Sequence, residues 1–336
     1  RMVTTMQPAP NNNFKGALFS LIAYGIYSTH DIFIKLLGGS HSPIQIIFFS
    51  GLLGFPLVTL MLIKDRTAGH LRPIYPGWTA IRCTAMIANA LGAFIAFANL
   101  PLAQAYAILF AMPLLITVLS IPILKETVKL RRWTAVIVGL LGVLVVLQPG
   151  TAELSWAHLA ALISAVGGAT NSVIVRKIGQ EERSVVLILY PMMATFLAMG
   201  VMLPFVYEPM AIEHFGLVSL VALFSFIAMF CLISAYRFGE AVIVAPMQYS
   251  QMLWAIAYGY LIFNESIDLA TALGSGLIIA SGLYILFRES KGENSENTPV
   301  LKTRTRAGTV YSLRISFLTK LTQKTGAMQD SPGHSK

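Results

Sequence analysis

Two short stretches, LKETVKL at residues 124–130 and FNESIDL at residues 263–269, are copies of one motif. Both follow an apolar run, and both read apolar, polar, Glu, hydroxyl, β-branched, charged, Leu. The two glutamates are 139 positions apart, and His30-Asp31 matches Thr170-Asn171 at a spacing of 140. Similarity at a fixed spacing indicates an internal repeat. The sequence therefore predicts two related halves, residues 15–150 and 151–288.

The composition places these halves in a membrane. The chain is 56% hydrophobic and only 12% charged, with a mean hydropathy of +0.70, whereas ordinary soluble domains are about 25% charged. The net charge of +9 does not indicate a nucleic-acid partner, because the basic residues are spread over short connections and a tail. Membrane lipids are the expected surroundings.

Ten apolar segments have about the length that a membrane-spanning helix needs. The sequence thus predicts an all-α membrane protein with ten transmembrane helices. They are expected near residues 16–38, 43–63, 78–98, 102–123, 133–149, 156–176, 184–206, 215–236, 241–262 and 268–287.

Basic residues occur in alternate connections only. Connections of one set contain Lys64, Arg72, Lys125, Arg132, Arg176, Arg183 and Arg237, whereas those around Gly39, Asn99, Thr151, Glu208 and Glu265 have almost none. Because basic connections stay in the cytoplasm, both termini are predicted to be cytoplasmic. Residues 1–14 are expected to form a disordered lead and residues 289–336 a basic disordered tail.

Five helices per half is an odd number, so the second half enters the membrane with inverted polarity. Inverted repeats are typical of secondary transporters, which expose a midplane site to each side in turn. The sequence therefore favours a transporter of a small organic molecule that works by alternating access. A membrane-embedded enzyme acting on a lipid-linked substrate is the alternative from another class.

The paired glutamate motifs, HDIFIK at residues 30–35, and the stretch APMQY at residues 245–249 running on to GYLIFNE at 259–265 resemble the drug/metabolite transporter superfamily, with two EamA-type halves. The helix-nine stretch is similar to the subgroup that includes bacterial S-adenosylmethionine and riboflavin uptake carriers, and this similarity implies a bacterial inner membrane. This resemblance implies a central cavity lined by helices one, three, four, six, eight and nine. It also leaves exporters of amino acids or drugs open.

Asp31 is the foremost candidate for substrate or proton binding, because an ionisable side chain inside a membrane is costly. Lys35 follows at i+4, so an ion pair with Asp31 is the structural alternative. Asn171 occupies the matching position of the second half. In helix three, Arg82 is expected to extend toward the water at the membrane surface, and pairing with an anionic group in the cavity is the alternative. Asn89 needs a polar partner within the bundle or in the cavity.

Helix nine has the richest polar face. On a regular helix, four of its side chains fall within about 120° of one another: Gln248, Gln251, Trp254 and Tyr258. Tyr249 is a further candidate for substrate binding. Amides and aromatic rings on one face suit a heteroaromatic metabolite. Tyr106 and Phe110, one turn apart in helix four, extend this aromatic wall.

Glu126 and Glu265 lie at helix ends near water, where helix capping and dipole effects are sufficient to explain them. Because the two glutamates recur, binding of a coupling ion is the alternative. The six histidines have no metal-binding spacing, and neither metal nor cofactor is predicted. Glycines 139, 142, 274 and 276 pack either neighbouring helices or a second copy of the chain, so both a monomer and a homodimer stay open.

Overall fold

The computed structural model describes residues 13–63, 72–125, 128, 130–148, 154–179, 181–182, 184–239 and 241–290. Residues 13–14 of the predicted lead and residues 289–290 of the predicted tail are helical, which corrects both boundaries. The rest of the lead and tail, and Glu126, lie outside these ranges. The described helices are α1 (Asn13–Gly38), α2 (Pro43–Ile63), α3 (Pro76–Asn99), α4 (Leu102–Leu109), α5 (Met112–Leu124), α6 (Leu130–Leu147), α7 (Trp156–Ile178), α8 (Ser184–Val206), α9 (Ile212–Phe238), α10 (Ala241–Val244), α11 (Ser250–Phe263) and α12 (Leu269–Ser290).

These helices make ten membrane spans, which confirms the predicted fold class. Seven described segments are long and apolar enough to cross a membrane on their own, and α2 and α6 contain shorter apolar stretches. Two predicted spans are not continuous helices. The fourth consists of α4 and α5, and the ninth consists of α10, a 3-10 turn (Ala245–Tyr249) and α11. Prolines 113 and 246 lie at these breaks. Because proline has no N–H to donate, it interrupts the hydrogen bonds of a continuous helix.

The repeated motif is the turn that ends each broken span. Lys125 and Asn264 occupy equivalent motif positions, and both adopt the left-handed conformation, with φ of 57° and 55°. Their N–H groups donate to the carbonyl oxygens of Ser120 and Gly259. Such a left-handed residue closes a helix and reverses the chain. The sequence similarity between the halves therefore reflects a shared helix end.

The two halves interlock with inverted symmetry. Helix α1 of the first half packs along α9 of the second, and the symmetry-equivalent pair is α7 of the second half with α3 of the first. Glycines permit the closest approaches: Gly16 lies against Gly239, and Gly167 lies against the backbone of Ala85. Because adjacent spans run in opposite directions, α1 begins at what we call the first face and ends at the second face. Gly38, Asn99, Leu102 and Glu265 lie at the second face.

Helices α6 and α12 pair with each other across the same symmetry. A Cβ on Gly142 would lie 2.8 Å from the carbonyl oxygen of Gly274, and one on Gly139 would meet Leu114 and Ser281. These three glycines therefore pack helices within one chain. Among the described residues, no atom lies within 4 Å of the corresponding position on Gly276.

The two broken spans meet at the centre of the molecule. Phe110 and Tyr249 are 139 positions apart, the repeat spacing, and their ring centroids are 5.1 Å apart at an angle of 77°. Every residue of α4 except Gln104 is buried. Large apolar side chains such as Phe205, which is 86% exposed, cover the outside and suit contact with lipid.

Candidate substrate-binding site

Asp31 lies at the junction of α1, α4 and α11. It belongs to the buried stripe of α1, together with Tyr24, Tyr27 and Ile34, whose spacing of three to four residues puts them on one helix face. Only 2% of Asp31 is exposed. The fold thus holds a carboxyl group in the interior of the bundle, where its charge is costly unless it is hydrogen-bonded.

A hydrogen-bond network surrounds this carboxyl group. The Tyr106 hydroxyl donates to Asp31 Oδ2, and His30 Nδ1 lies 2.7 Å from Asp31 Oδ1. Gln251 Nε2 donates to the Tyr106 hydroxyl at 3.1 Å. The structure therefore brings together Asp31, Tyr106 and Gln251 from the predicted set and adds His30. His30 could have been predicted from the sequence, because it directly precedes Asp31 in the HDIFIK stretch.

Aromatic rings continue from Tyr106 toward the symmetry axis. The Tyr106 ring centroid is 5.1 Å from that of Phe97 and 5.8 Å from that of Phe110, and Phe110 contacts Tyr249. A carboxylate beside such rings suits a ligand that combines a positive charge with an aromatic group, because ring faces attract cations.

The polar face predicted for the ninth span is divided in the structure. Gln248 and Tyr249 belong to the 3-10 turn, which has three residues per turn rather than 3.6, so the regular helical projection fails there. The Tyr249 side chain is directed toward Gly282. Trp254 lies against Gly25 and stacks on Tyr258 at 5.8 Å, with 40% of its surface exposed. Half-buried Gln248 lies one turn before Gln251.

Arg82 corrects a prediction. Instead of extending to the membrane surface it is 2% exposed, because α3, α7 and α8 close around it. Its Nε donates to Asn171 Oδ1 at 2.8 Å, and its guanidinium also donates to the Leu187 carbonyl oxygen. Asn171 therefore binds Arg82. It does not belong to the network around Asp31, although it is the repeat-equivalent residue.

Asn89 has a partner within the bundle. The Ser164 hydroxyl lies 2.9 Å from both the backbone and the side-chain oxygen of Asn89, and Gly167 and Gly168 leave room for this side chain between α3 and α7. Asn89 and Asn171 thus belong to the α3–α7 contact, whereas Asp31, Tyr106 and Gln251 form the network described above.

Lys35 does not pair with Asp31, which corrects the structural alternative for this lysine. Its Nζ lies 2.7 Å from Glu265 Oε1, and Glu265 Oε2 accepts a hydrogen bond from the Leu102 N–H at 3.0 Å. Glu265 therefore caps the start of α4, as expected for a glutamate at a helix end. The sequence analysis singled out Glu265 because the glutamate recurs in both halves, but it did not predict Lys35 as its partner.

Comparison with known proteins agrees with this architecture. The model of the EamA-like transporter family matches residues 14–148 and 155–287. A crystal structure that is 17% identical superimposes with a TM-score of 0.53 over 84% of this chain and all of that chain, which supports the fold alone.

Curated relatives are named for several small molecules. The S-adenosylmethionine uptake transporter of Rickettsia prowazekii is 25% identical over 87% of this chain and 99% of its own length. The pseudopaline exporter CntI of Pseudomonas aeruginosa is 25% identical, covering 82% and 97%. The riboflavin transporter of Rhizobium johnstonii is 26% identical, covering 70% and 79%. With both halves matched by the family model, the chain belongs to the EamA-like transporter family and is a membrane transporter of small metabolites.

Proposed function

We propose that this transporter carries S-adenosylmethionine or a related metabolite that joins a cationic centre to a heteroaromatic ring. The observation that carries the proposal is the buried Asp31 carboxyl group, which Tyr106 and His30 hold at the junction of α1, α4 and α11. The name of the Rickettsia prowazekii relative, whose whole length is covered, points to the same class of substrate.

The roles of the site residues follow from their chemistry. Asp31 would bind the cationic centre by charge, and binding would replace the hydrogen bonds that the carboxylate makes with Tyr106 and His30. Phe97, Tyr106 and Phe110 provide ring faces for the cation and the heterocycle. Gln251 orients the Tyr106 hydroxyl and offers an amide to the ligand.

The orientation is part of this proposal. Lys125, Lys177 and Arg237 all belong to the first face, the basic side, and basic connections stay in the cytoplasm. We infer that the first face is cytoplasmic and the second face external, in the cytoplasmic membrane of a bacterium. Tags at either terminus should then be cleaved by protease only in inverted vesicles.

Uptake of labelled S-adenosylmethionine into proteoliposomes tests the function. Asp31→Asn should reduce saturable uptake at least about tenfold, because a hydrogen bond to a charged group contributes about 1.5–3 kcal/mol. Asp268→Asn is the matched control, since Asp268 lies before α12 and accepts a hydrogen bond from Gln148, remote from the site.

The same assay separates the alternatives. Riboflavin and basic amino acids serve as competing substrates, and counterflow distinguishes a carrier from a channel. Uptake by Asp31→Asn at the wild-type rate between about pH 5.5 and 8, a range that spans histidine titration, would contradict the role of Asp31. Conversion of substrate without transport would instead support the enzyme alternative.

A further inference from the structure

The ion pair between Lys35 and Glu265 joins three parts of the chain at the second face. Lys35 ends the membrane part of α1, and its Nζ also donates to the Leu100 carbonyl oxygen at 2.5 Å, in the connection between α3 and α4. Glu265 follows α11 and accepts the hydrogen bond from the Leu102 N–H. One ion pair therefore connects the first half of the molecule with the second.

This pair lies directly above the Asp31 site. Lys35 is one helical turn beyond Asp31 on α1, and Leu102 is one turn before Tyr106 on α4, so each is about 6 Å closer to the second face. The Lys35 side chain is 12% exposed and that of Glu265 is 20% exposed, and the ammonium lies 5.2 Å from the ring centroid of Phe263. The partly desolvated pair therefore lies between the Asp31 site and the second face.

The helices around the pair are closely packed at the second face. Where α1 and α3 end, Gly38 and Ala98 are so near that a Cβ on Gly38 would lie 2.2 Å from the Ala98 side chain. Inverted symmetry relates this pair of helices to α7 and α9. Within the described ranges, α7 and α9 make no comparable contact. Close packing of α1 against α3 thus accompanies the ion pair at the second face.

We propose that Lys35 and Glu265 form the external gate of the transporter, and that their ion pair must break before the Asp31 site opens to the outside. The gate does not depend on which metabolite is carried. It does rest on the orientation proposed above, because that orientation makes the second face external.

Thiol labelling tests the gate without substrate. Ser28 is 1% exposed and lies 3.4 Å from the Tyr106 hydroxyl, so Ser28→Cys reports access to the site. The two native cysteines are replaced, as Cys83→Ala and Cys231→Ala, and a membrane-impermeant methanethiosulfonate is added from the outside. Either Lys35→Met or Glu265→Gln should accelerate labelling about tenfold, a shift of about 1.4 kcal/mol. Glu265→Gln keeps an acceptor for the Leu102 N–H.

Three controls make the result specific. Lys35→Arg retains the charge and should label as slowly as the parent. Lys177→Met is the matched lysine variant at the first face, where Nζ donates to the Ile123 carbonyl oxygen at 2.6 Å, and it should leave external labelling unchanged. The double variant Lys35→Met with Glu265→Gln should label no faster than either single variant, because the two residues act as one pair.

Labelling from the first face completes the test. A transporter that exposes its site to one side at a time should label more slowly in inverted vesicles when the gate variants favour the outward-open state. Faster labelling from both sides would mean that the variants loosen the whole structure, and would overturn the gate proposal. Unchanged external labelling in both single variants would also overturn it. A parent that labels fast from outside and slowly from inside would instead refute the orientation.

Discussion

Tyr249 fixes the contact between the ninth and tenth spans through a single hydroxyl group. A Cβ on Gly282 would lie 2.0 Å from the Tyr249 hydroxyl oxygen, so α12 needs glycine at this position. The hydroxyl is buried and has no hydrogen-bond partner among the described residues. An unsatisfied buried hydroxyl costs free energy, so this contact sets how closely the two spans approach without stabilising them.

Gly282→Ala should therefore lower the stability of the protein by about 1–3 kcal/mol, the usual range for overpacking. Tyr249→Phe should restore part of the loss in the double variant, because it removes the atom nearest the new methyl group. The apparent Tm in detergent measures both effects. An equal loss with and without Tyr249→Phe would show that another contact makes glycine necessary.

Connections at each face join one half of the molecule to the other. At the second face His41 Nε2 lies 2.8 Å from His214 Nδ1, while the Gln45 side chain exchanges two hydrogen bonds with the backbone of Glu208. At the first face the Glu182 carboxylate accepts hydrogen bonds from the N–H groups of Ile74 and Tyr75. The turn after the first span of each half is thus tied to a connection of the other half.

The second-face tie should be sensitive to pH. Burial and the neighbouring His214 lower the pKa of His41 below its usual 6.5, against an opposing effect of Glu208. The folded state thus binds this proton less readily than the unfolded state. Its stability should be greatest above about pH 6.5 and fall as the pH decreases below that value. His41→Gln should flatten the dependence of Tm on pH between about 7.5 and 5.5. If the dependence of Tm on pH is the same in His41→Gln as in the wild type, His41 is not the cause of that dependence.

The first-face tie offers a matched pair of glutamates. Glu182→Ala removes the acceptor of two N–H groups and should cost about 1–3 kcal/mol. Glu181 is exposed, and its hydrogen bond to the Tyr75 hydroxyl raises the pKa of that tyrosine. Glu181→Ala should change stability little, because exposed polar contacts contribute little. Thermal unfolding in detergent compares the two variants, and equal losses would contradict this assignment.

At the scale of the whole molecule, the halves are interlocked rather than side by side. The most extensive helix contacts, α1 with α9, α3 with α7, and α6 with α12, all join one half to the other. Each half alone would leave these faces without their partners. Inverted symmetry therefore serves folding as well as transport.

Separately expressed halves should test this arrangement. Residues 1–150 and 151–336 should each aggregate when produced alone, and should copurify as a monodisperse complex when produced together, because only the complex covers the glycine-rich faces. An affinity tag on one half and size-exclusion chromatography provide the measurement. A monodisperse single half would show that the contacts between halves are dispensable.

The ten spans, the two-fold repeat and the transporter class were all determined by the sequence itself. Hydropathy over about 20 residues and a motif repeated at 139 positions are local properties, so they can be read without knowing what each helix contacts. The same holds for Asp31, because a carboxyl group within an apolar helix stands out wherever its neighbours lie.

Only the tertiary structure decided which side chains meet. Periodicity placed Lys35 on the same face as Asp31, but the packing of α1 beside the end of α11 gave Lys35 a nearer partner in Glu265. Arg82 was expected to reach water, but in the structure it donates to acceptors on α7 and α8 instead. Similarly, a 3-10 turn divides the polar face that was predicted around Gln251. The physical reason is that helical spacing determines which residues share a face, whereas the neighbouring helices determine what covers that face.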